Sequence, residues 1–191
     1  MKRMSEVFRI GLFVILWIAS HQMAMAQVQY KLVPAGSSVL VKGTSSLHDW
    51  EMNAEKISGV FIVADDQRLD ELLSGNVVVD AGSLKSEHNL MNKKAYEALK
   101  YKSFPRIEAK LLRIELNQNA GKVQIELTIA GKIRPLTEDF QFKNSGSGKI
   151  EVSGVLNLKM SDFGVEPPVA LMGAIKTGNE VRIEYRFMYQ R

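Results

Sequence analysis

The sequence predicts an all-β fold, a closed antiparallel barrel of about eight strands with one or two short helices. Three observations predict it. Apolar and polar residues alternate with a period of two over much of the chain, the pattern of sheet with one face buried and one in water. Gly121, Gly131 and the run Asn144 to Gly148 punctuate that pattern as hairpins do. Only one stretch carries a convincing helical period. Closure is favoured because it removes exposed strand edges, which otherwise invite aggregation. The pattern alone also admits a two-sheet sandwich.

The first 26 residues stand apart. Lys2, Arg3 and Arg9 make a basic start, Ile10 to Ala19 is apolar, and Ala24-Met25-Ala26 supplies small residues before Gln27. These features describe a secretory signal peptide cleaved after Ala26. The apolar run is too short for a bilayer span, which needs roughly 20 residues. Residues 27–191 then form one exported domain, periplasmic or otherwise outside the cytoplasm and soluble after cleavage. A chain of this size buries roughly 70% of its unfolded surface. It needs no disulfide, and the sequence has no cysteine for a disulfide or a lipid anchor. Removing residues 1–26 takes three basic residues and one acid from totals of 25 and 21, leaving a charge of +2. That balance argues against nucleic-acid binding.

Within the domain, Val28, Tyr30 and Leu32 begin a strand, and Ser37 to Lys42 and Ile57 to Ala64 follow. Asp66 to Leu73 suggests a helical turn, and Asn76 to Asp80 returns to strand. Asn89 to Lys100 is the helix: Met91, Ala95, Ala98 and Leu99 share a face, and Lys93, Lys94, Glu97 and Lys100 lie elsewhere. Lys100 and Lys102 suit the negative end of its dipole, and Pro105 bars continuation. From Arg106 to Leu116 the alternation changes phase, which predicts a β-bulge near Leu111-Leu112. Val123 to Ile129, Thr137 to Lys143, Val152 to Met160 and Val181 to Gln190 complete the strands, and Pro167 to Met172 reads as a loop or short helix.

Few residues suit catalysis. His48 and His88 are the histidines of the domain, far apart in sequence and without metal-ligand spacing, so no metal is expected. His48-Asp49 beside Ser45 and Ser46 invites a hydrolase reading, but neighbours on a strand point to opposite faces. Ser45, His48 and Asp49 are better read as holding a turn. Asp162-Phe163-Gly164 resembles a kinase magnesium triplet without its companions, so Asp162 is assigned to a strand-end turn that its carboxylate holds. Between Lys85 and Arg106, six basic residues face two acidic ones, a local charge of +4. Such a run reads as a solvated helix face or as a rim that attracts a phosphate head group or an anionic membrane surface.

Four motifs in order carry a resemblance. They are Gly43-Thr44-Ser45-Ser46-Leu47-His48-Asp49-Trp50, the helix exit Leu99 to Ile107 with Phe104-Pro105, the turn Leu127 to Leu136 with Gly131 and Pro135, and Met160-Ser161-Asp162-Phe163-Gly164-Val165. Together they are similar to the YceI-like family of exported bacterial proteins over nearly all of residues 28–190. The resemblance implies an extended lipocalin-like barrel around an elongated apolar pocket. It also implies a polyisoprenoid ligand, such as an isoprenoid quinone or a prenyl phosphate, with no separate cofactor and no catalysis. The family often carries an arginine-aspartate pair at the helix entry. Here Glu87 to Asn92 stands in its place.

The expected function is carriage, storage or sequestration of such a chain by a monomer or homodimer, with transient contact to a membrane surface. Trp50, Phe61, Tyr96, Phe104, Phe163, Leu171 and Met172 are the pocket candidates, being aromatic or flexible apolar residues on motif or loop segments. Lys85, His88, Lys93 and Lys94 are the head-group candidates. Two rival readings are an envelope enzyme acting on a lipid-like substrate through His48 and Asp49, and a ligand-free structural or stress-related envelope protein.

Overall fold

The computed structural model describes residues 27–65 and 67–191. The segment assigned to a signal peptide lies outside them. Among the described residues eleven strands and one α-helix follow in order: β1 Val28–Ser45, β2 Trp50–Ala54, β3 Ile57–Asp65, β4 Arg68–Asp80, β5 Leu84–Lys85, α1 Asn89–Ala98, β6 Arg106–Asn117, β7 Ala120–Ile129, β8 Lys132–Asn144, β9 Lys149–Lys159, β10 Val169–Ala170 and β11 Ile175–Gln190. Single turns of 3-10 helix lie at Ala81–Ser83, Met160–Phe163 and Leu171–Gly173.

Eight strands close an antiparallel barrel in the order β1, β3, β4, β6, β7, β8, β9, β11, with β11 returning to β1. The two runs expected at Val28 and Ser37 are one long strand. Its first part pairs β3 and its second part pairs β2, so β2 and β3 together form the single neighbour on that side. Pairing with β11 slips between Val33 and Ser38, where Ser37 Oγ donates to Val33 O and accepts from Met188 N. The bulge expected in β6 is present: pairing with β7 steps from Leu111 to Arg113, and the skipped Leu112 points outward.

The helical turn expected over Asp66 to Leu73 is absent from residues 67–73, and Asp66 lies outside the described residues. Arg68 onward belongs to β4, paired with β3 through two register shifts near Val63. Those shifts break the alternation and leave Leu69, Leu72 and Leu73 at a spacing that imitates a helix. Pro167 to Met172 combines the short strand β10 with the start of a 3-10 turn.

The core has two apolar clusters. One joins Tyr30, Phe61, Val63, Ile150 and Tyr189, with Tyr30 stacked on Phe61 at 4.8 Å and Tyr189 edge-on to it at 4.9 Å. The other joins Ile125, Leu127 and Ile129 of β7 to Leu158, Phe163 and Val165. Leu99, at the end of α1, packs against both. One boundary is incomplete. β8 and β9 pair only between Phe140–Asn144 and Ile150–Gly154, and their other halves part. The 3-10 turn at Met160–Phe163 covers the parted end, and Arg134 Nε donates to Asp162 O at 2.8 Å.

Candidate ligand-binding site

Two adjoining cavities run through the barrel. The mouth cavity, about 380 Å³, lies under α1, and the deep cavity, about 190 Å³, lies among the strands. Val41, Leu84, Ile107, Ile129 and Ile183 line both, so the spaces meet at a shared neck. Inward side chains at alternate positions of β7, β8, β9 and β11 make the walls, a direct product of the period of two.

The sequence motifs assemble the mouth. Gly43 is the cross-strand partner of Trp50, and the indole covers it so closely that any side chain there would collide. Trp50 Nε1 donates to Thr44 O at 3.0 Å. Ser45 holds the intervening turn: its hydroxyl donates to His48 O at 2.7 Å and accepts from the backbone N–H of Leu47 and His48. Ser46 stitches that loop to the last hairpin through backbone and side-chain bonds to Lys176. The Phe104 ring lies over Gly131, whose φ of +78° suits glycine. The helix-exit motif thus packs on the β7–β8 turn, and Arg134 of that turn holds the Met160–Phe163 segment.

Two turn assignments are corrected. Among the described residues neither the Asp49 nor the Asp162 carboxylate holds its turn by a hydrogen bond. His48 Nδ1 donates to Asp49 O at 2.6 Å, a bond to the backbone rather than to the carboxylate. At the second turn Asn179 does the expected work, accepting from Ser161 N at 2.9 Å and donating to Ser161 Oγ at 2.8 Å.

Of the pocket candidates, Trp50 and Phe163 line the mouth cavity and Phe61 lines the deep one. Four others line neither. Tyr96 is turned aside by its hydroxyl, which donates to Leu84 O at 2.8 Å. Phe104 is spent on Gly131. Leu171 and Met172 sit at an exposed tip, both with left-handed backbone. Of the head-group candidates, His88 and Lys94 line the mouth. Lys85 and Lys93 do not, and Lys85 pairs with Glu55 at 3.5 Å.

Sequence reasoning missed three features. His48 and His88 meet at the mouth with ring centroids 6.5 Å apart, although 40 positions separate them in the chain. Lys159 joins them there. A Ser86–Asn92 clamp fixes the helix entry: Asn92 Oδ1 accepts from Ser86 N at 2.7 Å and from Ser86 Oγ at 2.8 Å, and Asn92 is buried. Among the described residues no group of three or more His, Cys, Asp or Glu is placed to hold a metal ion. No described helix is long and apolar enough to cross a membrane.

A family model described as the YceI-like domain matches residues 30–189. The chain belongs to the YceI-like family. No curated protein matches it. Solved structures of similar fold include Burkholderia cenocepacia BcnA, 20% identical with a TM-score of 0.70, covering 82% of this chain and 98% of that one. A polyisoprenoid-binding domain from Saccharophagus degradans, implicated in plant cell wall breakdown, is 13% identical with a TM-score of 0.66, covering 84% and 97%. The YceI protein of Campylobacter jejuni is 19% identical with a TM-score of 0.61, covering 73% and 84%. In this YceI-like barrel the four motifs are therefore largely the parts of the mouth.

Proposed function

We propose that this YceI-like protein is an exported carrier or store for a polyisoprenoid or similar elongated apolar chain. The observation that carries the reading is the pair of apolar cavities joined at one neck. Burial of ligand surface supplies about 25 cal/mol per Å² before the costs of association. The chain lies through the neck into the deep cavity. A polar or anionic head stays at the mouth, where His48, His88, Lys94 and Lys159 are the facing basic groups. An isoprenoid quinone or a prenyl phosphate has this shape.

Loading takes place at a membrane surface. Leu47, Leu90 and Val169 line the mouth yet remain more than half exposed, with Leu171 and Met172 on the adjacent hairpin. Together they offer an apolar rim beside basic side chains. No observation favours hydrolysis at His48, whose Nδ1 is committed to a backbone carbonyl.

Purification from the native host, extraction with organic solvent and mass spectrometry test the reading. A stoichiometric prenyl lipid or comparable long-chain molecule is expected. Repeated recovery of ligand-free protein that also fails to take up such chains in vitro overturns it.

A further inference from the structure

The two cavities differ in the sign of their ionisable groups. Basic side chains face the mouth cavity. Glu138 of β8 is the charged residue among those lining the deep one, and Tyr185 and Tyr189 are its other polar residues. Glu138 shares its strand face with Phe140 and Phe142, which line the same cavity, so its position is a product of the strand and not of a loose loop.

Tyr185 reaches toward it. The Tyr185 ring and hydroxyl lie over Gly154 of β9, where any side chain would collide with them, and Gly154 pairs with Phe140, two residues from Glu138. The missing side chain leaves room for the phenol over β9, the strand between β11 and β8. Neither the carboxyl nor the hydroxyl has a hydrogen-bond partner among the described residues. Burial raises the Glu138 carboxyl above its ordinary range, with Asp139 adding to it. Burial and then the Glu138 charge push the Tyr185 phenol up to about 12. Glu138 is half-buried, and the carboxylate and the phenol both line the cavity, where a ligand group able to donate to one and accept from the other can bond to both.

Building on the lipid-binding reading, we propose that Glu138 and Tyr185 form a polar subsite in the deep cavity that receives a hydroxyl group on the far part of the ligand chain. The ligand O–H donates to the Glu138 carboxylate, and the Tyr185 O–H donates to the ligand oxygen. An anionic group is repelled there and drawn to the basic mouth. The subsite therefore sets the direction of an amphiphile and selects chains hydroxylated away from the head.

Palmitic acid and its ω-hydroxy derivative test this by displacement of a fluorescent fatty acid from the wild type, Glu138→Leu and Tyr185→Phe. The wild type is expected to bind the hydroxylated acid about tenfold more tightly, the scale of one hydrogen bond to a charged group. Glu138→Leu is expected to abolish that preference, read as the ratio of the two affinities within the variant. Tyr185→Phe is expected to reduce it. A wild type that binds palmitic acid without preferring the hydroxylated form overturns the subsite and leaves lipid binding intact. Preference retained in Glu138→Leu also overturns it. A wild type that binds neither acid nor any prenyl chain overturns lipid binding and the subsite together. Where Glu138→Leu does not fold, as judged by circular dichroism, the isosteric Tyr185→Phe decides.

Discussion

The mouth and the deep cavity are both apolar, yet they are built differently. The mouth is made of loops, a helix face and a short hairpin, and its geometry depends on Gly43 under Trp50, Gly131 under Phe104, and the Ser45 turn. The deep cavity is made of strand side chains at alternate positions, several of them aromatic and in mutual contact. The deep end therefore combines two roles, since the same side chains hold the fold and bound the cavity. At the exposed rim of the mouth those roles are separable.

The sharpest test of that difference is Phe61→Ala. Phe61 is 6% exposed and contacts both Tyr30 and Tyr189. Its loss should cost about 3–5 kcal/mol of stability, read as a large fall in the denaturant midpoint. A small fall would mean that the deep end is not the structural core. Val41→Phe at the neck comes next. Overpacking there should cost about 1–3 kcal/mol. Long chains should lose affinity while chains short enough for the mouth keep theirs, in a displacement series of rising length. Equal losses for all lengths would break the division into two cavities.

At the rim, Leu47→Ser combined with Met172→Ser should change stability by less than about 0.5 kcal/mol per site, as exposed positions do. Sedimentation with anionic vesicles should nevertheless weaken; unchanged binding would remove the rim from the loading step. The smallest effect is electrostatic. A carboxyl raised in the folded state binds its proton more tightly folded than unfolded. Stability contributed by Glu138 therefore falls as pH rises from the ordinary carboxylate range through the raised one, and then levels off. Glu138→Gln should flatten that decline in a plot of Tm against pH. An unchanged slope would place the carboxyl in free contact with water.

The barrel was legible in the sequence because side-chain alternation reports a half-buried sheet residue by residue. The phase change at Leu111-Leu112 even located the β6 bulge. The same logic failed at Leu69 to Leu73, where two register shifts next to each other spoil the period. Motifs marked the mouth but not the work of each residue. The Ser45 hydroxyl holds its turn as the motif implies, without the Asp49 carboxylate, and the Asn179 amide holds the turn assigned to Asp162. The His48–His88 approach spans the fold and leaves no local pattern. Glu138 did leave one: it shares the inward parity of Phe140 and Phe142, which strand periodicity alone could have read.

The β1–β11 pairing has a consequence for time as well as shape. Its Lys42–Glu184 ion pair joins residues 142 positions apart. Such pairings carry a heavy loop-closure cost, so barrels dominated by them fold on the slow side, over milliseconds to seconds. Until β11 arrives, β1 keeps an unpaired edge, a template for association with another chain. Damage along this seam should thus show first as aggregation during refolding, before any loss of affinity in the molecules that do close.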